Sequence, residues 1–535
     1  MHLPFSRDWF FRIIAALGVI IAVALVLFVP DRFKEPDDWA YRYAVENFSH
    51  GRLTVDNALH QAQVIEAQKQ GGQLGQYVQI SPDKWAFEKT PGYAFFLVPF
   101  YLLGVSQLAN IVLAAGLVFV VYILLKRLMD ERAACIGALL ILFTPVSLAM
   151  LQREFMDGFA SLALPGIGGG LYVLFCLKKS EIRPLAAAGL LFLSGLFLGL
   201  GVAARYTDAV IAAVFALHFL VTQAQSLRKG QRAAILREGL AFGLGAGIPL
   251  GLLLLYQNAV FGAPLAYGYE YTKGNVKFAY DYLGEPRAWQ IIATNLKKMW
   301  LPLITGFPLL LAALPGMLVL LWQKTSAAIP ALRRYQGKPG WPRLSLGITI
   351  LLAAWFAAVF GLYMMYEWTA NQRPDMPFII VTRFYLPALL PVVIMAVFCL
   401  SRLPNKLVIC LMAASLTIGV VFFVQASQGD LKAAQPGPLP QNGVSAQSSP
   451  EERTHLIEQV RLEVKAVPTN ASNMQRRLDV LVMWIGELNK QGYPVGQLMP
   501  PSDVQHIRNL VLQNQATEAG RLIDEAYRKL EQLVA

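Results

Sequence analysis

The chain consists mainly of apolar runs that are each about 20 residues long, the length that a helix needs to cross the hydrocarbon core of a bilayer. Of its 535 residues, 56% are hydrophobic and 15% are charged, whereas soluble chains carry roughly 25% charged residues. Inside a bilayer every backbone N–H and C=O has to be hydrogen-bonded within the protein, and a helix does this within one segment. We therefore predict an all-α, polytopic membrane fold with about 11 transmembrane helices. The runs are 13–29, 105–125, 133–151, 159–177, 185–203, 209–222, 239–260, 301–322, 344–366, 384–400 and 407–424.

The loops between these runs alternate in charge. Every second loop is basic, as at Lys126-Arg127 and Lys178-Lys179, and the loops between them mix acidic and basic residues. Lys and Arg collect in the cytoplasmic loops of membrane proteins, so we predict that the basic loops are cytoplasmic and the mixed loops exoplasmic. This pattern predicts a protein of the cell (inner) membrane with a cytoplasmic N-terminus. It also explains the net charge of +12 by contact with membrane lipids, without a nucleic-acid partner.

Composition divides the chain into three parts. Residues 1–425 hold all the apolar runs and form the predicted transmembrane domain, whose first exoplasmic loop spans 31–104. The apolar segment 91–103 belongs to this loop, because as a span it would put every later basic loop outside, so we expect it to lie along the outer interface. Residues 426–449 are rich in Pro, Gly, Ser and Gln, which is typical of a linker. Residues 450–535 carry helix-periodic patterns and are predicted to form a small exoplasmic α-helical domain.

An acidic pair, Asp37-Asp38, closely follows the first predicted span. Carboxylates at a membrane surface are costly unless they are solvated, paired or used chemically. A carboxylate in the first turn of a helix is stabilised by the free backbone N–H groups there, so one interpretation is a helix cap. A second is a general base that takes a proton from an attacking hydroxyl. A third is a ligand of a divalent cation such as Mg or Mn.

Further charged groups lie in the predicted exoplasmic loops. Each has a simple explanation, since Lys and Arg at the ends of spans extend to the interface and exposed opposite charges pair weakly in water. Because all of them share one side with the acidic pair, they also suit a reaction in which cations hold an anionic lipid leaving group and a carboxylate activates a hydroxyl. Aromatic rings near them suit contact with sugar rings and suit the membrane interface equally well. The candidates are Lys89, Arg205 and Arg383 as cations, Glu154 and Asp157 as a second acidic group, and Tyr41, Tyr93, Tyr267 and Tyr269 as sugar or acceptor contacts.

Short motifs within residues 10–425 resemble those of the GT-C superfamily of integral-membrane glycosyltransferases, in its protein mannosyltransferase and aminoarabinose transferase branch. The stretch Asp37-Asp38-Trp39-Ala40-Tyr41 resembles the acidic motif of the family's first loop. The stretch Glu88-Lys89-Thr90-Pro91-Gly92-Tyr93 resembles its Pro-Gly segment, and Arg383-Phe384-Tyr385-Leu386-Pro387 resembles its late Arg-Tyr-x-x-Pro element. The chain departs from the family in two places: Asp38 stands where many relatives have Glu, and Thr90 replaces the first proline of Pro-Pro-Gly.

The resemblance implies an inverting sugar transfer at the exoplasmic face, with a donor sugar carried on a polyprenyl phosphate. It implies that Asp37 is the general base, with Asp38 as the second candidate, and that Lys89 binds the donor phosphate. It leaves the acceptor open among glycan, lipid and protein. No cofactor is certain, and if Mg or Mn is bound, the candidate ligands are Asp37, Asp38, Glu154 and Asp157.

Two other functions remain open from the sequence. A flippase or transporter for lipid-linked saccharides would have a similar number of spans, but transporters typically show matching halves with broken helices and polar groups at the midplane. Here the ionisable residues lie at the ends of spans. A non-catalytic envelope assembly protein would bind partners through the C-terminal domain, yet this function leaves the acidic loop unexplained. We therefore predict a transferase.

Overall fold

The computed structural model of the chain describes residues 7–29, 35–179, 181–272, 277–328, 345–372 and 378–433. Further along, it describes a helix at 516–534 and single positions between 478 and 510. The chain divides into two compact units, Met1–Gln435 and Pro436–Ala535. Each unit is considered by itself below.

The first unit is a bundle of helices that carries one small sheet in its first loop. Three-residue to six-residue 3-10 turns connect some of the helices. The helices are α1 (Arg7–Phe28), α2 (Pro36–Ser49), α3 (Asn57–Lys69), α4 (Gly92–Leu102), α5 (Leu108–Leu128), α6 (Glu131–Phe143), α7 (Pro145–Gln152), α8 (Gly158–Lys178), α9 (Pro184–Ala204), α10 (Ala209–Arg228), α11 (Arg232–Phe261), α12 (Pro286–Gly306), α13 (Leu310–Ala328), α14 (Leu346–Met364), α15 (Glu367–Asn371), α16 (Phe378–Thr382), α17 (Leu389–Leu400) and α18 (Asn405–Ala433).

Among the described residues, eight helical segments are long and apolar enough to cross a membrane, and two bent pairs raise the number to ten. The prediction of a helical, polytopic membrane fold is therefore confirmed, while the number of 11 spans stays a prediction. The pair α6 and α7 is bent by 61° and the pair α12 and α13 by 100°. We expected one run in each place, 133–151 and 301–322. Pro145 and Pro308 interrupt the helical hydrogen bonding at these breaks, and hydropathy alone does not report a bend.

Close contact of α9 with α11 depends on glycine. A Cβ atom on Gly195 would overlap the carbonyl oxygen of Phe242, and one on Gly245 would overlap the carbonyl oxygen of Phe192. Small residues at such a crossing let two backbones approach within a membrane. The close pairing of α9 and α11 fixes the end of α9, where the candidate site begins.

We expect Gly245→Val to destabilise the protein by about 1–3 kcal/mol, the usual cost of overpacking a well-filled contact. Gly243→Val is the matched control, because it makes the same change on the same helix where nothing lies within 4 Å of the added Cβ. The measurement is the thermal midpoint of each purified variant in the same detergent. Equal midpoints for the two variants would contradict a glycine-dependent crossing.

The first loop contains a three-stranded antiparallel sheet that the sequence did not predict. Its strands are β1 (Thr54–Asp56), β2 (Tyr77–Ser81) and β3 (Lys84–Phe87), in the order β1-β3-β2. They are three to five residues long, too short for a clear alternating pattern. Phe87 of β3 packs edge-on against Tyr41 and Phe48 of α2, and the chain reaches Lys89 two residues later.

The apolar segment 91–103 forms α4, which is 11 residues long and contains Pro99. A helix of this length rises about 16 Å and is too short to cross a bilayer. This agrees with the prediction that the segment does not span. Helix α4 packs against α2 through aromatic rings, including Tyr41 on Tyr93 and Phe48 on Phe95.

In the second unit, the described helix α19 (Ala516–Val534) lies within the segment 450–535, for which the sequence predicts helices. Its buried positions include Ala519, Ile523 and Ala526, which are spaced for one helical face. Helix α18 of the first unit continues to Ala433, so the start of the predicted linker 426–449 is helical. The remainder of that linker lies outside the described residues, and the exoplasmic position of the second unit stays a prediction.

Candidate active site

The acidic pair lies in the first turn of α2, and its two carboxylates have different partners. Glu35 is the N-cap residue and Pro36 starts the helix. The carboxylate of Asp38 accepts the backbone N–H of Glu35 at 2.9 Å and pairs with the guanidinium of Arg153. Asp38 and Arg153 are both buried. The helix-cap interpretation therefore fits Asp38, whose side chain ties α2 to the turn after α7.

Asp37 is held by three side chains from distant parts of the chain. Its Oδ2 atom accepts hydrogen bonds from Lys89 Nζ at 3.2 Å and from Arg383 Nη2 at 3.0 Å. Its Oδ1 atom accepts the side-chain amide of Gln76. Burial alone would raise the pKa of Asp37, but the charges of Lys89 and Arg383 outweigh burial and hold this pKa well below its usual range. Asp37 is thus ionised, buried and faced by two cations.

The segment Lys89–Gly92 is fixed against the C-terminal end of α9. The hydroxyl of Thr90 donates to the carbonyl oxygen of Ala204 at 2.6 Å. A Cβ atom on Gly92 would overlap the backbone of Ala203, so this contact requires glycine. The residue types of the motif therefore place the backbone before α4 against α9, and Lys89 reaches Asp37 from there.

Arg205 brings a further positive charge to the neighbourhood of Arg383. The guanidinium groups of Arg205 and Arg383 lie 4.9 Å and 5.0 Å from the ring centre of Phe384. Arg205 also lies beside Asp157, at 3.8 Å between Nε and Oδ2, and its Nη1 donates to Ser161 at 3.4 Å. The Nη1 atom of Arg383 is buried and has no hydrogen-bond partner within the described part of the chain. A buried donor of this kind is suited to an anion.

Two glutamates border the cluster, and burial shifts the pKa of each of them upward. Burial raises the pKa of Glu35, against the opposing charge of Arg383, and burial also raises the pKa of Glu88, against Lys89.

Tyr41 presents a buried hydroxyl to this cluster. Its side chain is fully buried, and its oxygen has no hydrogen-bond partner among the described residues. Burial raises the pKa of Tyr41 well above its usual value, and the charges of Asp157 and Asp37 act in the same direction. Tyr41 therefore remains a neutral phenol that can donate a hydrogen bond to a ligand.

Of the other predicted aromatic contacts, Tyr93 is used within the protein. Its hydroxyl donates to the carbonyl oxygen of Glu154 at 2.7 Å and to Asn110 at 3.0 Å. Tyr93 thereby joins α4 to α5 and to the turn after α7. Its ring packs edge-on against Tyr41, so the structure places Tyr93 behind Tyr41 as support.

Tyr267 and Tyr269 line a cavity of about 840 Å³ that is amphipathic. Gly268, between them, packs directly on the backbone of Glu88, which joins the cavity to the segment that carries Lys89. The outer wall is aromatic and polar, and the inner wall comes from apolar side chains of α9, α11 and α14. Among the lining residues are Tyr206, Tyr280, Tyr282 and Lys277 on the outer side and Val202, Leu250, Leu253, Leu254 and Leu362 on the inner side.

The two predicted members of the second acidic group have different surroundings. Asp157 faces Arg205, and its charge acts on Tyr41. Burial raises the pKa of Glu154 to about 6, against the opposing charge of Arg42. The structure thus brings Asp157 next to Arg205 in the cluster, while the cationic charge that acts on Glu154 comes from Arg42.

The carboxylates do not form a metal site in this arrangement. Within the described part of the chain, no three His, Cys, Asp or Glu residues are grouped so that they could hold a metal ion. Asp37, Asp38 and Asp157 each face a Lys or Arg side chain. A divalent cation needs several unpaired oxygen ligands, and here it would have to displace those cations. The residues therefore do not fit the Mg or Mn alternative.

Gln76 belongs to the site and was missed in the sequence. Besides bonding Asp37, it is the one non-glycine residue with positive φ among the described residues, at 61°. Its carbonyl oxygen accepts the N–H of Glu88 at 2.9 Å, which fixes this unusual conformation. Backbone strain of this kind is found mostly at functional positions. The sequence pattern around Gln76, a single Gln in a Gly-rich loop, does not identify it as a site residue.

No protein-family profile and no curated protein matches the chain. Among solved structures, ArnT from Cupriavidus metallidurans bound to undecaprenyl phosphate is similar over 99% of this chain and 77% of its own, with 13% identity and a TM-score of 0.45. An oligosaccharyltransferase from Archaeoglobus fulgidus, in complex with Zn and sulfate, is similar over 86% of this chain and 56% of its own, with 14% identity and a TM-score of 0.43. At this level the likeness describes a layout of helices and assigns neither a reaction nor a residue.

Proposed function

We propose that this protein is a glycosyltransferase that moves a sugar from a polyprenyl-phosphate donor to an acceptor hydroxyl at the exoplasmic membrane face, with inversion. The observation that carries the proposal is the contact of one buried carboxylate, Asp37, with two cations, Lys89 and Arg383. Among the described residues, Arg383 keeps one buried donor without a hydrogen-bond partner. A carboxylate suits proton removal and the cations suit a phosphate. The amphipathic cavity next to them suits a substrate that has both a sugar and a hydrocarbon chain.

The proposed reaction is a single displacement. The acceptor oxygen forms a bond to the anomeric carbon while its proton passes to a carboxylate oxygen of Asp37. The bond from the anomeric carbon to the phosphate oxygen breaks on the opposite face, and its electron pair stays on the phosphate. The leaving polyprenyl phosphate gains one negative charge, which Lys89 and Arg383 stabilise. A phosphate leaves without protonation, so one base suffices.

The same two cations serve Asp37 and the donor phosphate in this proposal. Without donor, they hold the pKa of Asp37 below its usual range, and the carboxylate is a weak base. A phosphate bound to Lys89 and Arg383 adds negative charge beside Asp37, and a nearby like charge raises the pKa of a carboxylate. Donor binding thus makes Asp37 a stronger base, so that the acceptor is deprotonated only when a donor is in place.

Tyr41 and Tyr269 are the proposed contacts to the transferred sugar. Tyr41 offers its buried hydroxyl, and the charges of Asp37 and Arg205 act on Tyr269, which lines the cavity. Aromatic faces with a hydroxyl at the edge suit sugar rings. Arg205, held over Phe384, is proposed to support the donor phosphate together with Lys89 and Arg383.

The test is incubation of the purified protein in lipid nanodiscs with a panel of polyprenyl-phosphate sugars, with and without EDTA. We expect release of polyprenyl phosphate from at least one donor, at an equal rate in EDTA, because cations from the protein occupy the carboxylates. Loss of activity in EDTA that Mg or Mn restores would contradict the metal-free mechanism. Intact donors throughout, combined with their movement across vesicles that contain the protein, would instead support a flippase.

A further inference from the structure

Helix α12 turns sharply away from the helix that follows it. The axes of α12 and α13 differ by 100°. Helix α13 packs along α17, which belongs to the apolar segment Ile379–Leu400 that is long enough to span the membrane. If α13 runs with its neighbour through the bilayer, α12 lies nearly parallel to the membrane plane. It does so on the side of the candidate site, because it packs against the 3-10 turn Ala279–Tyr282 that lines the cavity.

Helix α12 has three distinct faces. The first packs on the protein through residues spaced three or four apart, including Ala288, Ile291, Asn295 and Met299. The second is apolar yet exposed: Trp289, Leu296 and Trp300 are 75%, 59% and 58% exposed. At 100° of rotation per residue these three side chains fall within about 40° of one another. The third face is polar or basic and exposed, and it includes Gln290 and Lys297.

We propose that α12 is an interfacial helix that lies in the outer leaflet of the membrane, with Trp289, Leu296 and Trp300 among the lipids. Tryptophan is enriched at this depth, and a helix with one apolar and one basic face is typical of the interface plane. The next helix, α13, also has an exposed apolar face, which includes Leu311, Leu314 and Leu318. Exposed apolar faces on both helices favour the bilayer over a protein partner as the occupant of the stripe.

The helix is tied to the wall of the cavity by hydrogen bonds from its protein side. Asn295 Nδ2 donates to the carbonyl oxygens of Met364 and Tyr366 at 3.0 Å and 2.9 Å. Lys298 Nζ donates to the carbonyl oxygen of Ala370 at 2.8 Å. Arg287 pairs with Glu367. Anchoring α12 in lipid therefore also fixes the depth of the segment 364–372 and of the cavity wall beside it.

The test uses nitroxide spin labels on two exposed positions of α12. Ala293 lies on the apolar stripe, and Gln290 lies one turn away on the polar side. Each is changed to cysteine in full-length protein whose four native cysteines are replaced by alanine, and the protein is reconstituted in phosphatidylcholine and phosphatidylglycerol vesicles. We expect the label at 293 to collide mainly with oxygen, which dissolves in lipid, and the label at 290 to collide mainly with a water-soluble nickel chelate.

The logarithm of the ratio of the two collision rates should therefore be positive at 293 and negative at 290. Negative values at both positions would place α12 in water and overturn the proposal. Positive values at both would place it across the hydrocarbon core and overturn it equally. The readout needs no substrate, so it is independent of the proposed sugar transfer. Normal elution of both labelled proteins from a sizing column checks their folding.

Discussion

Replacing Asp37 with asparagine is expected to lower the turnover number for sugar transfer by roughly 10²–10⁴-fold, which is what a general base typically contributes. Asparagine has nearly the shape of aspartate and can still accept hydrogen bonds from Lys89 and Arg383, but it cannot take the proton of the acceptor hydroxyl. The measurement is the rate of polyprenyl phosphate release at saturating donor and acceptor.

Binding of polyprenyl phosphate separates a lost base from a damaged site. In the wild-type protein the carboxylate of Asp37 shares Lys89 and Arg383 with the phosphate, so Asp37→Asn should bind polyprenyl phosphate as tightly as wild type or more tightly. Asp83→Asn is the control, since Asp83 is exposed in the turn between β2 and β3 and bonds Ser81. It should leave rate and affinity unchanged. Wild-type turnover by a folded Asp37→Asn protein would refute the assignment of the base.

The two aspartates illustrate how far the sequence could be interpreted. Because Asp37 and Asp38 lie next to a predicted span, the sequence indicated that both carboxylates are solvated, paired or used chemically. The residues alone did not decide whether each is a helix cap, a general base or a metal ligand. The distinction lies in partners that are far away in the chain. Arg153 and the backbone of Glu35 hold Asp38, whereas Gln76, Lys89 and Arg383 meet at Asp37. Such long-range contacts follow from the packing of the bundle, which no local pattern contains.

Hydropathy and loop charge predicted the helices well because each span has to satisfy its backbone alone. The same signal contains no information on the direction of a helix axis. It gave no sign that the chain turns by 100° between α12 and α13, since the mean hydropathy of the run 301–322 contains no information on helix direction. It also missed the sheet of the first loop, whose strands are too short to show a period. The cavity was missed for a related reason, because its walls come from four separate helices and the turns between them.

Replacing Arg383 with glutamine is expected to lower kcat/KM by about 10²–10³-fold, the cost of removing one donor that stabilises developing charge. The guanidinium bonds Asp37 through Nη2 and keeps Nη1 buried without a partner in the described part of the chain. Glutamine removes the charge that would balance the leaving phosphate. The kcat/KM of Arg383→Lys should lie between those of wild type and Arg383→Gln, because lysine keeps the positive charge but lacks the planar guanidinium group.

Arg52→Gln is the matched control for charge, since Arg52 is exposed in the first loop, and it should behave as wild type. The sharper comparison is between Arg383→Gln and Asp37→Asn. Both should slow transfer, yet Arg383→Gln should weaken binding of polyprenyl phosphate while Asp37→Asn preserves or strengthens it. If the ion pair of Asp37 and Arg383 only supported the fold, both variants would bind polyprenyl phosphate more weakly, because either change leaves a buried charge without its partner. Opposite effects on affinity therefore require that the phosphate and Asp37 compete for the same arginine.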